Sequence, residues 1–173
     1  MNSMNRRGFL RTAGTVAALS GCASAAAPPV SLVMEPGDAV ANAGPAKWAA
    51  GELERVLTGA GSTVRMCRSL SDVQPGSQAI VAAGAQSKLA RDLSRRGGVS
   101  LPQQPEALAL VPGNTALLAT GYNTRGLVYA LLNLADRIRQ GVALIPEKAE
   151  AEKPNNRIRS WTRLFTSDVE DKP

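Results

Sequence analysis

The spacing of apolar and polar residues changes several times along the chain, and each change predicts a new secondary-structure element. Short apolar runs predict five strands, at residues 31–34, 63–67, 79–83, 107–111 and 115–120. The run at residues 79–83 is continuous, which is typical of a central strand buried on both faces. The turn sequence Pro112-Gly113-Asn114 separates the last two runs and predicts a β-hairpin.

Apolar residues recur at helical spacing in residues 45–57 and 127–138, and residues 87–96 are interpreted as a helix that stops at Gly97-Gly98. In the first segment we expect Trp48 to lie on the apolar side. Ser87 is placed to cap the second helix. Strands that alternate with helices predict an α/β fold (an α+β sandwich), with a small mixed β-sheet and helices mainly on one face.

The first 22 residues have the features of an export signal. Arg6 and Arg7 precede Phe9 and Leu10, a short apolar run follows, and a Leu-Ser-Gly-Cys box ends at Cys22. This resembles a twin-arginine signal that leads into a lipoprotein cleavage site. The apolar run is shorter than the roughly 20 residues that span a bilayer, so it is interpreted as part of a cleaved signal peptide and not as a transmembrane helix. We therefore expect export to the periplasm or cell envelope, with a lipid anchor at Cys22. The alternatives are a general secretion leader and soluble cleavage after residue 25.

The remaining sequence divides into four parts. Residues 23–29 are small and flexible, as in a tether, and residues 30–146 carry the α/β pattern. The charged residues 147–156 lack apolar periodicity and predict a linker. Residues 157–173 begin a second apolar unit, which we interpret as the start of a truncated domain. Without its leader the chain has about 150 residues, which is enough for one core.

Composition excludes several functions. The chain has no histidine, which removes Ser-His-Asp and Cys-His nucleophile systems and imidazole metal sites. The net charge of +6 comes from 20 basic and 14 acidic residues, and it falls to +3 when the three leader arginines are removed. The chain has no basic run with interleaved aromatic residues, so nucleic-acid binding is not predicted. No cofactor is predicted either. Cys67, in an apparent strand, is expected to be a buried, inert thiol.

One segment resembles a known class of domain. Residues 121–132, beginning Gly-Tyr-Asn-Thr-Arg-Gly, combine a strand end, a tight turn and a helix start. With the helix around Trp48 and the strand at residues 79–84, this resembles the non-catalytic α/β domain that precedes the barrel in glycoside hydrolases. The families are the β-N-acetylhexosaminidases of family 20, at their second domain, and the α-glucuronidases of family 67. Residues 157–161, Arg-Ile-Arg-Ser-Trp, resemble the entry strand of the catalytic (β/α)8 barrel.

The resemblance implies an accessory domain of a carbohydrate-active glycoside hydrolase, with catalytic carboxylates on a barrel outside this chain. It assigns no catalytic residue here. Arg125, Tyr129 and Trp161 are candidate interdomain contacts, and Arg125 either holds a neighbouring carboxylate or braces the barrel. The implied partners are the barrel, the carbohydrate substrate of the full-length enzyme, and the membrane through the lipid anchor. The alternative is a stand-alone cell-envelope lipoprotein that binds carbohydrate.

Overall fold

The computed structural model describes residues 27–101 and 103–155. The strands in these residues are β1 (Val30–Val33), β2 (Val64–Cys67), β3 (Gln78–Gly84), β4 (Leu108–Val111), β5 (Leu117–Gly121) and β6 (Glu150–Glu152). The α-helices are α1 (Gly44–Gly59), α2 (Lys88–Arg96) and α3 (Thr124–Arg139), and a short 3-10 helix covers Leu70–Asp72.

All six strands form one mixed sheet in the order β2-β1-β3-β5-β4-β6. Strands β2, β1, β3 and β5 run parallel, whereas β4 is antiparallel to both of its neighbours, β5 and β6. The predicted α/β class and the predicted hairpin are confirmed. The carboxyl ends of β1, β3 and β5 lie together at one end of the sheet, which we call the carboxyl edge. We call the opposite end, where these strands begin, the amino edge. Both names refer to the ends of the strands and not to the outer strands β2 and β6.

The chain enters and leaves the sheet at opposite edges. It enters at the amino edge, where the Gln78 amide donates a 2.8 Å hydrogen bond to the Pro29 carbonyl. It leaves at the carboxyl edge, after β6. Glu152, the last residue of β6, pairs with Leu108, and Leu108 pairs with Gly121 at the end of β5.

Helices α1 and α3 cover one face of the sheet. Their buried side chains, including Leu53 and Leu131, pack on strand residues such as Leu32 and Ile80 in one apolar cluster. Small alanines are among the buried residues of α1, and this helix packs closely against α3. This cluster contains most of the leucines of the core.

Helix α2 covers the other face. Ala90 and Leu93 of this helix pack with Val33, Val81 and other strand residues in a second, smaller cluster. Burial of both faces agrees with the continuous apolar run of β3. The prediction of helices mainly on one face is confirmed, since two of the three described α-helices share a face. Cys67 is buried in the second cluster, as expected.

Side chains cap two of the helices. Ser87 Oγ accepts a 3.1 Å hydrogen bond from the Ala90 amide at the start of α2, which is the predicted cap. Asn123 Oδ1 accepts a 3.0 Å bond from the Gly126 amide at the start of α3. Each cap satisfies a backbone donor that the helix itself leaves unpaired.

Trp48 corrects one prediction. Its side chain is 62% exposed, although the helical spacing placed it on the apolar side of α1. It shares the outer side of the helix with Glu52 and Arg55, one and two turns later, and these two form a 2.6 Å ion pair. The buried stripe consists of Ala46, Ala49, Ala50, Leu53 and Leu57.

Strand β6 corrects another prediction, because it lies inside the segment 147–156 that we interpreted as a linker. Glu150 and Glu152 pair with the buried strand β4. Arg137 of α3 fixes the new strand, since its Nη1 lies 3.1 Å from Glu150 Oε1 and its Nε donates a 2.9 Å bond to the Ala143 carbonyl. Part of the charged segment is therefore an edge strand of the domain.

Other predictions fall outside the described residues. These are the export signal with Arg6, Arg7, Phe9, Leu10 and Cys22, and the second apolar unit with Trp161. Within the described ranges, no helix combines the length and apolarity that crossing a membrane requires.

A buried carboxylate joins the ends of β1 and β3. Asp38 is 9% exposed, and its Oδ1 accepts bonds of 2.9 and 3.0 Å from the amides of Val40 and Ala41. Its Oδ2 accepts a 2.6 Å bond from the Gly84 amide at the end of β3. One side chain thus satisfies three backbone donors and ties the loop after β1 to the centre of the sheet.

We expect Asp38→Ala to lower the free energy of unfolding by about 3 kcal/mol, because a buried donor without a partner costs about 1–3 kcal/mol. Urea unfolding followed by circular dichroism measures the change. Asp92→Ala is the matched control, because this aspartate forms a long, partly exposed 3.6 Å pair with Arg95 on α2. It should change stability by less than about 0.5 kcal/mol. Equal effects of the two substitutions would contradict the assigned role of Asp38.

Candidate functional site

Ligands of open parallel sheets usually bind at the carboxyl edge, where the strand order reverses. Here that position lies between β1 and β3, which are neighbours although β2 separates them in sequence. The loop held by Asp38 fills it, and a Cβ atom on Gly84 would lie only 2.8 Å from Val40 Cβ. The candidate site is therefore further along the same edge, at β5 and α3.

The turn between β5 and α3 packs tightly on the loop before β4. Asn123 Oδ1 accepts bonds from the Glu106 amide at 3.2 Å and from the Gly126 amide. The Tyr122 amide donates a 2.9 Å bond to the Ala107 carbonyl. Glu106 has a φ of 67°, which non-glycine residues seldom adopt, and these contacts hold it there.

A glycine makes this approach possible. A Cβ atom at Gly126 would overlap the carbonyl oxygen of Ala107, so only glycine fits between the start of α3 and the loop. The backbone at Arg125 is consequently held close to the backbone at Glu106.

Arg125 and Glu106 form an ion pair at this junction. Arg125 Nη1 lies 2.7 Å from Glu106 Oε1, and the hydrogen bond to this carboxylate is the main cause of a raised pKa for the Arg125 guanidinium. Arg125 therefore holds a neighbouring carboxylate, the first of the two roles that we considered for it. The arginine side chain remains largely exposed, so the pair is an accessible polar feature.

An open groove of 470 Å³ lies beside the pair, between α3 and the β4–β6 side of the sheet. We call it the exit groove, because the chain leaves the described domain there. Its lining includes Leu108, Tyr129, Leu132, Asp136, Glu152 and Pro154. Tyr129 is 39% exposed, so a large ring faces the groove with much of its surface open to water.

A second groove, of 310 Å³, lies on the α2 face of the same edge. Its lining includes Arg91, Arg95 and Tyr122. The two tyrosines of the chain thus line different grooves, Tyr129 on the α3 face and Tyr122 on the α2 face.

The exit groove combines paired charges with an exposed aromatic ring. Two of its carboxylates are already held by arginines, Glu106 by Arg125 and Asp136 by Arg139 at 2.8 Å. Across the described ranges, no group of three or more His, Cys, Asp or Glu side chains could hold a metal ion. Fixed ion pairs beside an exposed ring suit recognition of another surface.

The structure brings two of the three proposed interdomain residues to one place. Arg125 and Tyr129 lie one turn apart on α3, and Trp161 is outside the described residues. Glu106 and Glu152 were not identified from sequence. Asn123 could have been, because asparagine directly before a helix is a common cap.

Comparisons with known proteins support the fold. No protein-family model and no curated protein matches the chain. A solved GH138 enzyme targeting pectin rhamnogalacturonan II is similar over 73% of this chain and 15% of its own, with 17% identity and a TM-score of 0.51. The GH84 protein CpGH84D is similar over 71% of this chain and 19% of its own, with 13% identity and a TM-score of 0.50.

The chain therefore spans less than a fifth of the length of these two structures. Both are glycoside hydrolases, and each contains a region with the fold of this domain. The matched families are 138 and 84, so the narrower resemblance to families 20 and 67 stays a prediction.

Gly126→Ala is expected to lower the free energy of unfolding by about 2 kcal/mol, because the added methyl group forces α3 away from Ala107. Gly51→Ala is the matched control, since that glycine is exposed on α1 with nothing near its missing Cβ. It should raise stability by about 0.5 to 1 kcal/mol through helix propensity. Chemical unfolding of both variants tests the prediction, and stabilisation by Gly126→Ala would contradict it.

Proposed function

We propose that the described domain is the accessory domain of an exported, carbohydrate-active glycoside hydrolase and supports a catalytic barrel that follows it in the full-length protein. One observation carries the proposal. The fold of this domain occurs as a small part of a GH138 enzyme, over 15% of that chain. The domain itself has tight packing at the carboxyl edge and paired charges in its groove, which suit support of a neighbouring domain.

The contact surface in this proposal is the carboxyl edge near α3. The Arg125–Glu106 pair and Tyr129 lie there, and the chain leaves the domain at the same place. Residues that follow Asn155 therefore begin close to this surface. Trp161 is the third contact residue in the proposal, which also includes the resemblance to the accessory domains of families 20 and 67.

The 173-residue chain is expected not to hydrolyse aryl glycosides, whereas the product of the complete coding sequence, including the barrel read beyond Pro173, is expected to do so. The reason is that the catalytic carboxylates belong to the barrel. Release of the aryl group, measured on a panel of glycosides with both purified proteins, tests this. Comparable turnover by the short chain, or a reading frame that ends at Pro173, would overturn the proposal.

Export and anchoring form a separate part of the proposal. The leader with Arg6, Arg7, Phe9 and Leu10 supports export by the twin-arginine route, and Cys22 supports lipidation. In this arrangement residues 23–29 tether the domain to the membrane of the cell envelope. An acyl chain contributes about 0.8 kcal/mol of membrane affinity for each buried methylene.

Cys22→Ser should move the protein from the membrane fraction to the soluble fraction, because the serine hydroxyl cannot take the place of the lipidated thiol. Cys67→Ser is the matched control, since Cys67 is the other cysteine and lies buried in the domain. It should leave the protein with the membrane. Fractionation of the producing cells followed by immunoblotting gives the result, and an unchanged Cys22→Ser distribution would contradict the anchor.

A stand-alone carbohydrate-binding lipoprotein is the second candidate. The 62% exposed Trp48 ring favours it, because exposed aromatic rings stack on sugar faces. Loss of polysaccharide binding in Trp48→Ala, with binding intact in the unsubstituted 173-residue chain, would support this candidate over the first.

A further inference from the structure

The exit groove is an incompletely covered part of the first core cluster. Its lining combines the buried Leu108 with the half-buried Leu132 and the exposed ring of Tyr129. Among large apolar side chains in the described ranges, Tyr129 is one of four that are exposed, and the others line no part of this groove. Covering the groove would remove apolar surface from water.

The chain itself passes this groove on its way out. Lys153 and Pro154 belong to the lining, and Gln104 Nε2 donates a 3.1 Å hydrogen bond to the Pro154 carbonyl. The direction of the chain is therefore fixed up to the groove wall. Trp161 is seven positions after Pro154, a span of at most about 25 Å, so Trp161 can reach any part of the groove.

The residues that follow have a composition that fits. Residues 157–165 contain Ile158, Trp161, Leu164 and Phe165 together with Arg157, Arg159 and Arg163, and no acidic residue. The groove offers apolar walls and three carboxylates, Glu106, Asp136 and Glu152. Glu106 and Asp136 already bind arginines, but a carboxylate has about four acceptor sites and can bind a second donor.

We propose that the exit groove binds residues 157–165 of the same chain, with Trp161 against Tyr129 and Leu132 and an arginine of the segment beside Glu152. A short tether gives the segment a millimolar effective concentration at the groove, so modest apolar contact suffices for occupancy. The inference goes beyond the proposed function, because it concerns a contact within this chain and is tested on the 173-residue chain alone.

Fluorescence of a single tryptophan tests the proposal. Trp48→Phe in the full chain leaves Trp161 as the sole tryptophan, at little structural cost because Trp48 is exposed. We expect the Trp161 emission to lie at shorter wavelength than that of free tryptophan amide and its quenching by acrylamide to be weaker. Adding Tyr129→Ser should restore the emission and quenching of the free amide.

Matched variants separate this contact from general unfolding. Tyr122→Ser removes the other tyrosine, which lines the α2 groove, and should leave Trp161 protected. Glu152→Arg should weaken the protection by repelling the arginines, whereas Glu147→Arg, outside the exit groove, should not. Circular dichroism must show that each variant is folded as the parent is.

Several outcomes would overturn the proposal. Trp161 emission equal to that of the free amide in Trp48→Phe would show that the segment does not occupy the groove. Protection that survives both Tyr129→Ser and Glu152→Arg would place Trp161 elsewhere. Protection that disappears on dilution would assign the groove to a second copy of the chain. None of these results depends on glycoside hydrolysis, so failure here is distinguishable from failure of the proposed function.

Discussion

Strand β3 has no polar face, and this constraint organises the rest of the domain. Six of its seven residues are buried, so the sheet needs apolar cover on both sides. Helices α1 and α3 supply it on one side and α2 on the other. The strands next to β3, which are β1 and β5, are buried along their whole length for the same reason. Away from this centre, β2 and β6 are edge strands with exposed residues.

The cover is uneven, and the surface features follow from that. Helix α3 lies over the centre of the sheet and leaves the β4–β6 side with the exit groove. Its first turn packs so closely on the loop before β4 that Gly126 cannot carry a side chain, and Glu106 takes a positive φ. A surface fixed by backbone contacts of this kind has little freedom to rearrange, which favours recognition of a partner without a large ordering cost.

Most of the central fold could be predicted from the sequence, because the period of buried residues reports directly on strands and helices. The features that were missed depend on contacts between distant residues. Strand β6 has no apolar pattern and forms because β4 offers a free edge and Arg137 binds Glu150. Asp38 is joined to the centre of the sheet through Gly84, 46 residues later. The exposure of Trp48 was missed because helical spacing alone does not show which apolar residues are buried. Small alanines form much of the buried stripe of α1, and Trp48 lies outside it.

Only part of the candidate site could be predicted, because the rest depends on contacts between distant residues. Arg125 and Tyr129 follow a recognisable strand–turn–helix sequence, whereas Glu106 and Glu152 reach the site from a loop and an edge strand that carry no local signal. This surface is assembled from segments that are distant in sequence, so sequence patterns identify the helices and strands before they identify the surface.

The entry of the chain at one edge of the sheet and its exit at the other have a mechanical consequence. A pull between residues 27 and 155 acts along the strands, with β1 drawn one way and β6 the other. Hydrogen bonds between strands run largely across that direction, so they would bear the load together in shear rather than open one after another. A load applied at residues 27 and 155 would therefore be resisted by several hydrogen bonds at once.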